Sequence, residues 1–99
     1  MDVHPQAYVI AYDICDPTRL RKVFKTMRRW GDHLQYSVFR CLLSPRQLAQ
    51  LKADLEPLIH HTEDQILFIP LGQPDGPTAR RLFTLGQPLL YPERIARVF

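Results

Sequence analysis

The run Ala7-Tyr8-Val9-Ile10-Ala11-Tyr12-Asp13-Ile14 constrains this chain more than any other segment. It is apolar at both odd and even positions and rich in β-branched and aromatic residues, which reads as a central strand covered on one face and partly on the other. Asp16-Pro17 follows at once, an N-cap oxygen and a proline preset for the first helical position, and Gly31 supplies a stop. A helix over about 17–30 is predicted, with Leu20, Val23, Phe24 and Met27 at i, i+3, i+4 and i+7 as its packing stripe.

Between Leu34 and Leu43 the apolar alternation changes phase, with Leu34, Tyr36 and Val38 on one parity and Phe39, Cys41 and Leu43 on the other. A regular strand does not slip, so a bulge or a very tight reversal is expected near Tyr36-Ser37. Ser44-Pro45-Arg46-Gln47 has the order of a capping box and opens a second helix to about Ile59, with Leu48, Leu51, Leu55 and Leu58 on one side and Pro57 fraying the last turn. Gln65 to Leu71 reads as another buried strand, 72–77 as a loop, and Ala79 to Leu85 as an edge strand ending at Gly86. Residues 95–99 fit either a short strand or a helical turn. This order predicts an α+β, ferredoxin-like sandwich, an antiparallel sheet with two helices on one face. The domain covers 1–86, and 87–99 is a C-terminal tail that offers a strand for dimer or partner contact.

Composition removes several alternatives. A chain of 99 residues makes one domain, which excludes a two-domain enzyme. With 45% hydrophobic and 23% charged residues it is neither a disordered chain nor a membrane protein, and no apolar run approaches a bilayer span. The first residues carry no basic and no apolar leader region, so a cytoplasmic location is expected. Cys15 and Cys41 are too few and too far apart for a disulfide scaffold or a paired zinc site.

The net charge of +3 conceals a pattern. Residues 1–30 carry six Arg and Lys against three Asp, residues 31–79 carry three against six, and residues 80–99 carry four against one. Arg19, Arg21, Lys22, Lys25, Arg28 and Arg29 form a basic run without an acid. Such a run is either a solvated helix face or a contact surface for phosphates, and its one-sign character favours sequence-independent binding of a polyanion. Asp13, a carboxylate at the end of a buried strand, is either a rim residue bonded to loop amides or a ligand for a hard cation such as Mg²⁺. Asp16 is explained as an N-cap. Adjacent His60 and His61, with Glu63 and Asp64, resemble a ligand cluster in composition, but neighbouring side chains diverge and imidazoles suit a helix C-terminus anyway. Ser37 lacks partners for a hydrolase triad, and no glycine-rich phosphate loop occurs.

Taken in order, Tyr12-Asp13-Ile14-Cys15-Asp16, the basic helix ending in Trp30-Gly31, Gln35-Tyr36-Ser37-Val38-Phe39, the Leu-Ser-Pro helix start and Ile69-Pro70-Leu71 resemble the small CRISPR-associated protein family Cas-two. The resemblance implies a homodimer that joins the Cas-one integrase in spacer acquisition, bridging integrase subunits and supporting a double-stranded DNA segment. It also implies an alternative, a stand-alone Mg²⁺-dependent endonuclease on RNA or DNA, with Asp13 as the catalytic and metal-holding residue; since one carboxylate makes a thin site, Asp13 of two subunits paired across a dimer axis would share the ion. Ser37 and Phe39 carry over as supporting residues, beside Tyr12 and Asp16 of the motif around Asp13, and the basic stretch Arg19, Arg21, Lys22, Lys25, Arg28 and Arg29 as the nucleic-acid contact. Two positions depart from the family pattern. Arg40 stands where members often carry an acid, and the proline-rich end after Gly86 differs from the family's final exchanged strand.

Overall fold

The structure, a computed structural model, describes residues 4–89. Strand β1 (Gln6–Asp13) leads into helix α1 (Pro17–Trp30), then β2 (Gly31–Gln35), β3 (Val38–Leu43), helix α2 (Pro45–Leu55), a 3-10 turn (Glu56–Leu58), β4 (Gln65–Gly72) and a second 3-10 turn (Ala79–Arg81). The strands form one antiparallel sheet in the order β2-β3-β1-β4, with β1 between β3 and β4. This β-α-β-β-α-β path is the expected ferredoxin-like arrangement.

Both helices begin as the sequence dictates. Asp16 Oδ2 accepts the Arg19 amide at 2.9 Å with Pro17 in the first turn. Ser44 and Gln47 form a complete capping box at 3.2 and 2.9 Å. The helices share one face of the sheet, where Val23 and Met27 of α1 and Leu51 and Leu55 of α2 meet Ile10, Tyr12, Phe39, Cys41 and Leu43. Each such aliphatic side chain contributes about 1.5–3 kcal/mol by leaving water. Leu20, expected in the α1 stripe, is instead 37% exposed, and Thr26 is buried in its place.

The phase change in 34–43 is resolved by both devices. Gln35 pairs with Val38 across the two-residue connection Tyr36-Ser37, and the β2–β3 register shifts between His33 and Gln35. Gly31 ends α1 by entering β2 directly, in extended backbone with φ −161° rather than a left-handed cap. Its need for glycine is spatial: a Cβ here would clash with the Cys41 sulfur and lie 2.6 Å from the Arg40 carbonyl oxygen. Alanine at this position would cost about 1–3 kcal/mol.

Three expectations change. Residues 79–85 are not an edge strand: Arg80 and Arg81 donate to Gly76 and Thr78 at 3.2 and 3.1 Å, closing a 3-10 turn that consumes the donors a ladder requires, and Phe83 and Leu85 are exposed. Strand β4 is half-exposed rather than buried, with Ile66 and Phe68 toward the helices and Leu67 and Ile69 exposed at 50% and 40%. Its place beside a single neighbour also accommodates Pro70, which has no amide hydrogen to donate. Helix α2 stops at Leu55, and Pro57 falls in the following 3-10 turn. The expectation for 95–99, and most of that for the tail, lies outside the described residues.

Candidate nucleic-acid interface

Alternation along β1 sends Tyr8, Ile10 and Tyr12 to the helices and Ala7, Val9, Ala11 and Asp13 to the opposite face. Register extends that face in rows: Leu67-Ala11-Val38, then Ile69-Val9-Arg40, with Gln65 beside Asp13 at the end. The face is apolar through its middle. Arg40 is buried there, its Nη2 3.4 Å from the Pro74 carbonyl of the loop after β4. Asp13 is exposed at the rim, where β1 runs out.

Of the expected supporting residues, Tyr12 and Phe39 face the helices, on the side of the sheet away from Asp13. The Tyr12 amide donates to the Ser37 carbonyl at 3.1 Å, tying the β2–β3 turn to β1 one residue before Asp13. Tyr12 stacks on buried Phe39 with ring centroids 6.2 Å apart, and burial pushes the Tyr12 phenol above its ordinary range. Ser37 therefore acts here through its backbone, and Phe39 through packing. Asp16 caps α1, and the structure shows no other bond from its carboxylate to a side chain among those described.

The six cations of α1 divide. Arg19 turns away from solvent: its Nε lies 2.7 Å from Asp64 Oδ2 and its Nη2 3.1 Å from Glu63 Oε1. Asp64 also accepts the Cys15 and His60 amides at 2.9 and 2.8 Å. The hydrogen-bonded guanidinium holds the Asp64 carboxyl well below the usual carboxylate range, and Asp64 in turn raises Arg19. Arg21, Lys25 and Arg28, spaced four and three residues, form a stripe roughly 10 Å long on one helix face. Lys22 and Arg29 are exposed alongside. No acidic residue interrupts the helix, and Arg28 and Arg29 complement the dipole at its end.

Sequence reasoning placed Asp64 only in a weak metal cluster and did not find its role as an anchor. No local pattern signals a partner 45 residues away. Nor did it find the cleft between α1 and the β2–β3 turn, about 620 Å³, lined by Tyr12, Leu20, Phe24, Tyr36 and Ser37 together with Arg21 and Lys25. Among the described residues no group of three or more His, Cys, Asp or Glu is arranged to hold a metal ion. Cys41 is a core thiol, pushed up to about 12 chiefly by burial. No helix of the described residues is long and apolar enough to cross a membrane.

A four-stranded ferredoxin-like domain with a basic first helix and a carboxylate at the end of its first strand defines a class of small α+β protein. Comparison with known proteins narrows it: the family CRISPR associated protein Cas2 matches residues 6–76, and the chain belongs to that family. It is 47% identical over 66 residues to the CRISPR-associated endoribonuclease Cas2 1 of Rhodospirillum rubrum, covering 67% of this chain and 65% of that relative, just under two thirds of its length. Over 83 residues it is 37% identical to the CRISPR-associated endoribonuclease Cas2 3 of a Synechocystis species, covering 84% and 87%. The crystal structure of Streptococcus pyogenes Cas2 superposes with a TM-score of 0.71 at 33% identity, covering 81% of this chain and 99% of that one. A hypothetical protein from Thermus thermophilus gives 0.75 at 29% identity, covering 88% and 98%.

Proposed function

We propose that this protein is a homodimeric nucleic-acid-binding subunit of CRISPR spacer acquisition that bridges subunits of the Cas-one integrase and supports the DNA duplex being inserted. The unmixed cationic stripe Arg21-Lys25-Arg28, flanked by Lys22 and Arg29, carries this reading. Guanidinium groups bind phosphate oxygens in pairs, and a stripe of them contacts a duplex backbone without reading bases. Arg19 serves as a positioning residue, since its charge is spent on Asp64 and Glu63. The apolar rows Leu67-Ala11-Val38 and Ile69-Val9 give a second copy a surface to cover. Fluorescence anisotropy with unrelated blunt duplexes tests the reading. Equal affinities that fall steeply with salt are expected, and failure to bind any duplex at low salt overturns it.

A second reading, a Mg²⁺-dependent endonuclease on RNA or DNA, is favoured by the exposure of Asp13 at the edge of the same apolar face. Magnesium takes oxygen ligands and commonly one or two carboxylates, so one chain meets the requirement with a single residue and two facing chains with a pair. Asp13 of each copy would hold the ion, which when bound supplies Lewis-acid polarisation of a phosphodiester. The chain itself positions that carboxylate: the Tyr12–Ser37 hydrogen bond and the stack of Tyr12 on Phe39 fix the end of β1.

A further inference from the structure

The cleft between α1 and the β2–β3 turn has a chemistry that backbone contact to a duplex does not use. Its lining is chiefly apolar and aromatic, from Leu20, Phe24, Tyr12 and Tyr36, yet Arg21, Lys25 and Ser37 also line it and no acid does. A volume of about 620 Å³ lies within the range of sites that enclose a small organic ligand. Charge in the lining selects an anion. Flat aromatic walls select a π surface.

Tyr36 supplies the second observation. It occupies the left-handed region at φ +35° in a two-residue hairpin turn, where Gly and Asn are the usual residues, and it is the sole non-glycine in that region among the described residues. A tyrosine there is strained, and its side chain gains nothing from burial because it is 88% exposed. The fold nonetheless fixes its backbone. His33 Nε2 donates to the Tyr36 carbonyl at 2.7 Å, and the His33 ring packs 4.8 Å from Phe39 and 5.1 Å from Phe24. Phe24 is itself pinned edge-on by Phe39 at 5.7 Å, with the Arg28 guanidinium 5.7 Å from its centroid. Phe24 is thus held among aromatic neighbours, and the exposed Tyr36 ring, on a backbone tied by His33, lines the same cleft.

We infer that this cleft is a subsite for an unpaired nucleobase, stacked between Tyr36 and Phe24, with its phosphate on Arg21 and Lys25. The inference rests on the nucleic-acid-binding reading and deepens it: the polynucleotide taken up carries an unpaired base beside its duplex. Base stacking on an aromatic side chain tolerates any base, consistent with a lining that is chiefly apolar and aromatic. An apolar helix from a partner protein would match the walls but leave the two cations without a counter-charge.

The test uses the full chain and two probes, a blunt DNA duplex and the same duplex extended by one unpaired 2-aminopurine nucleotide. Tyr36→Asn removes the ring while suiting the left-handed backbone, so its melting temperature should equal or exceed that of the parent. Tyr36→Phe keeps the ring. The parent and Tyr36→Phe should bind the extended duplex roughly tenfold tighter than the blunt one and quench the 2-aminopurine, whereas in Tyr36→Asn the ratio should approach one and the quench should vanish. Blunt binding without preference or quench in the parent, or a preference that persists in Tyr36→Asn, overturns the subsite and leaves the duplex reading intact. Binding of neither probe overturns both. Tyr36-dependent binding of an apolar helical peptide, with neither a preference between the probes nor a quench, assigns the cleft to a protein partner instead.

Discussion

Arg19 Nε lies 2.7 Å from the buried Asp64 Oδ2, joining the first turn of α1 to the residue that precedes β4. Asp64 also receives the Cys15 and His60 amides, so one carboxylate organises the loop after β1 and the approach to β4 together. Asp13 sits directly before that loop.

This anchor has a pH signature. The Asp64 carboxyl is depressed in the fold, chiefly by its hydrogen bond to Arg19, so its stabilisation is complete above the ordinary carboxylate range and is lost as pH falls through and below about 4. Asp64→Asn should lower the melting temperature at neutral pH and flatten its fall between about pH 5 and pH 3. Thermal melts of both proteins across that range check it, and parallel curves would dismiss the anchor.

The cationic stripe predicts how binding responds to salt. Arg21→Glu with Arg28→Glu should weaken binding to unrelated duplexes about equally and reduce the log–log salt slope by roughly one unit per lost phosphate contact. Both side chains are exposed, so the double variant should melt within a few degrees of the parent. A folded double variant with the parent's slope would remove α1 from the interface. Arg19→Ala should behave differently, losing stability first because it strands Asp64.

Any intrinsic cleavage of nucleic acid should require a divalent cation and disappear in Asp13→Asn. Duplex affinity should survive, since removing an exposed anion does not harm phosphate contact. Parallel cleavage and anisotropy assays on one preparation separate the two. Metal-dependent cleavage by Asp13→Asn at the parental rate would place the chemistry elsewhere.

The apolar sheet face predicts self-association. Leu67→Lys puts a charge at a position already 50% exposed, so the protomer should stay folded while the dimer weakens. Multi-angle light scattering should show a dimer for the parent, tightened by Mg²⁺ if two Asp13 carboxylates approach each other, and a monomer for the variant. A parent that remains monomeric at high concentration with Mg²⁺ present would be falsifying.

Local chemistry explains why much of the fold was legible. Asp16-Pro17 and Ser44-Pro45-Arg46-Gln47 act within one turn of themselves, and the observed caps follow them. The phase slip at 34–43 likewise required a reversal, and one occurs at Tyr36-Ser37. The same logic failed for 79–85, where apolar residues suggested a strand but hydrogen bonds to Gly76 and Thr78 close a 3-10 turn. Strand-forming side chains do not make a strand where the amides are already engaged.

For the candidate site, the sequence by itself determined the inventory: Asp13 ending an apolar strand, six cations without an acid, and a reversal at Tyr36-Ser37, because residue type and alternation are properties of the chain alone. Only the tertiary structure decided their uses. Register turned Asp13 to the apolar face with Val9 and Ala11, a carboxylate 45 residues distant withdrew Arg19 from the basic surface, and the tight β2–β3 connection raised Tyr36 beside Phe24. Which charge stays in solvent, and which ring lines a cleft, depends on partners distant in sequence, and those are brought near only when the sheet and helices pack.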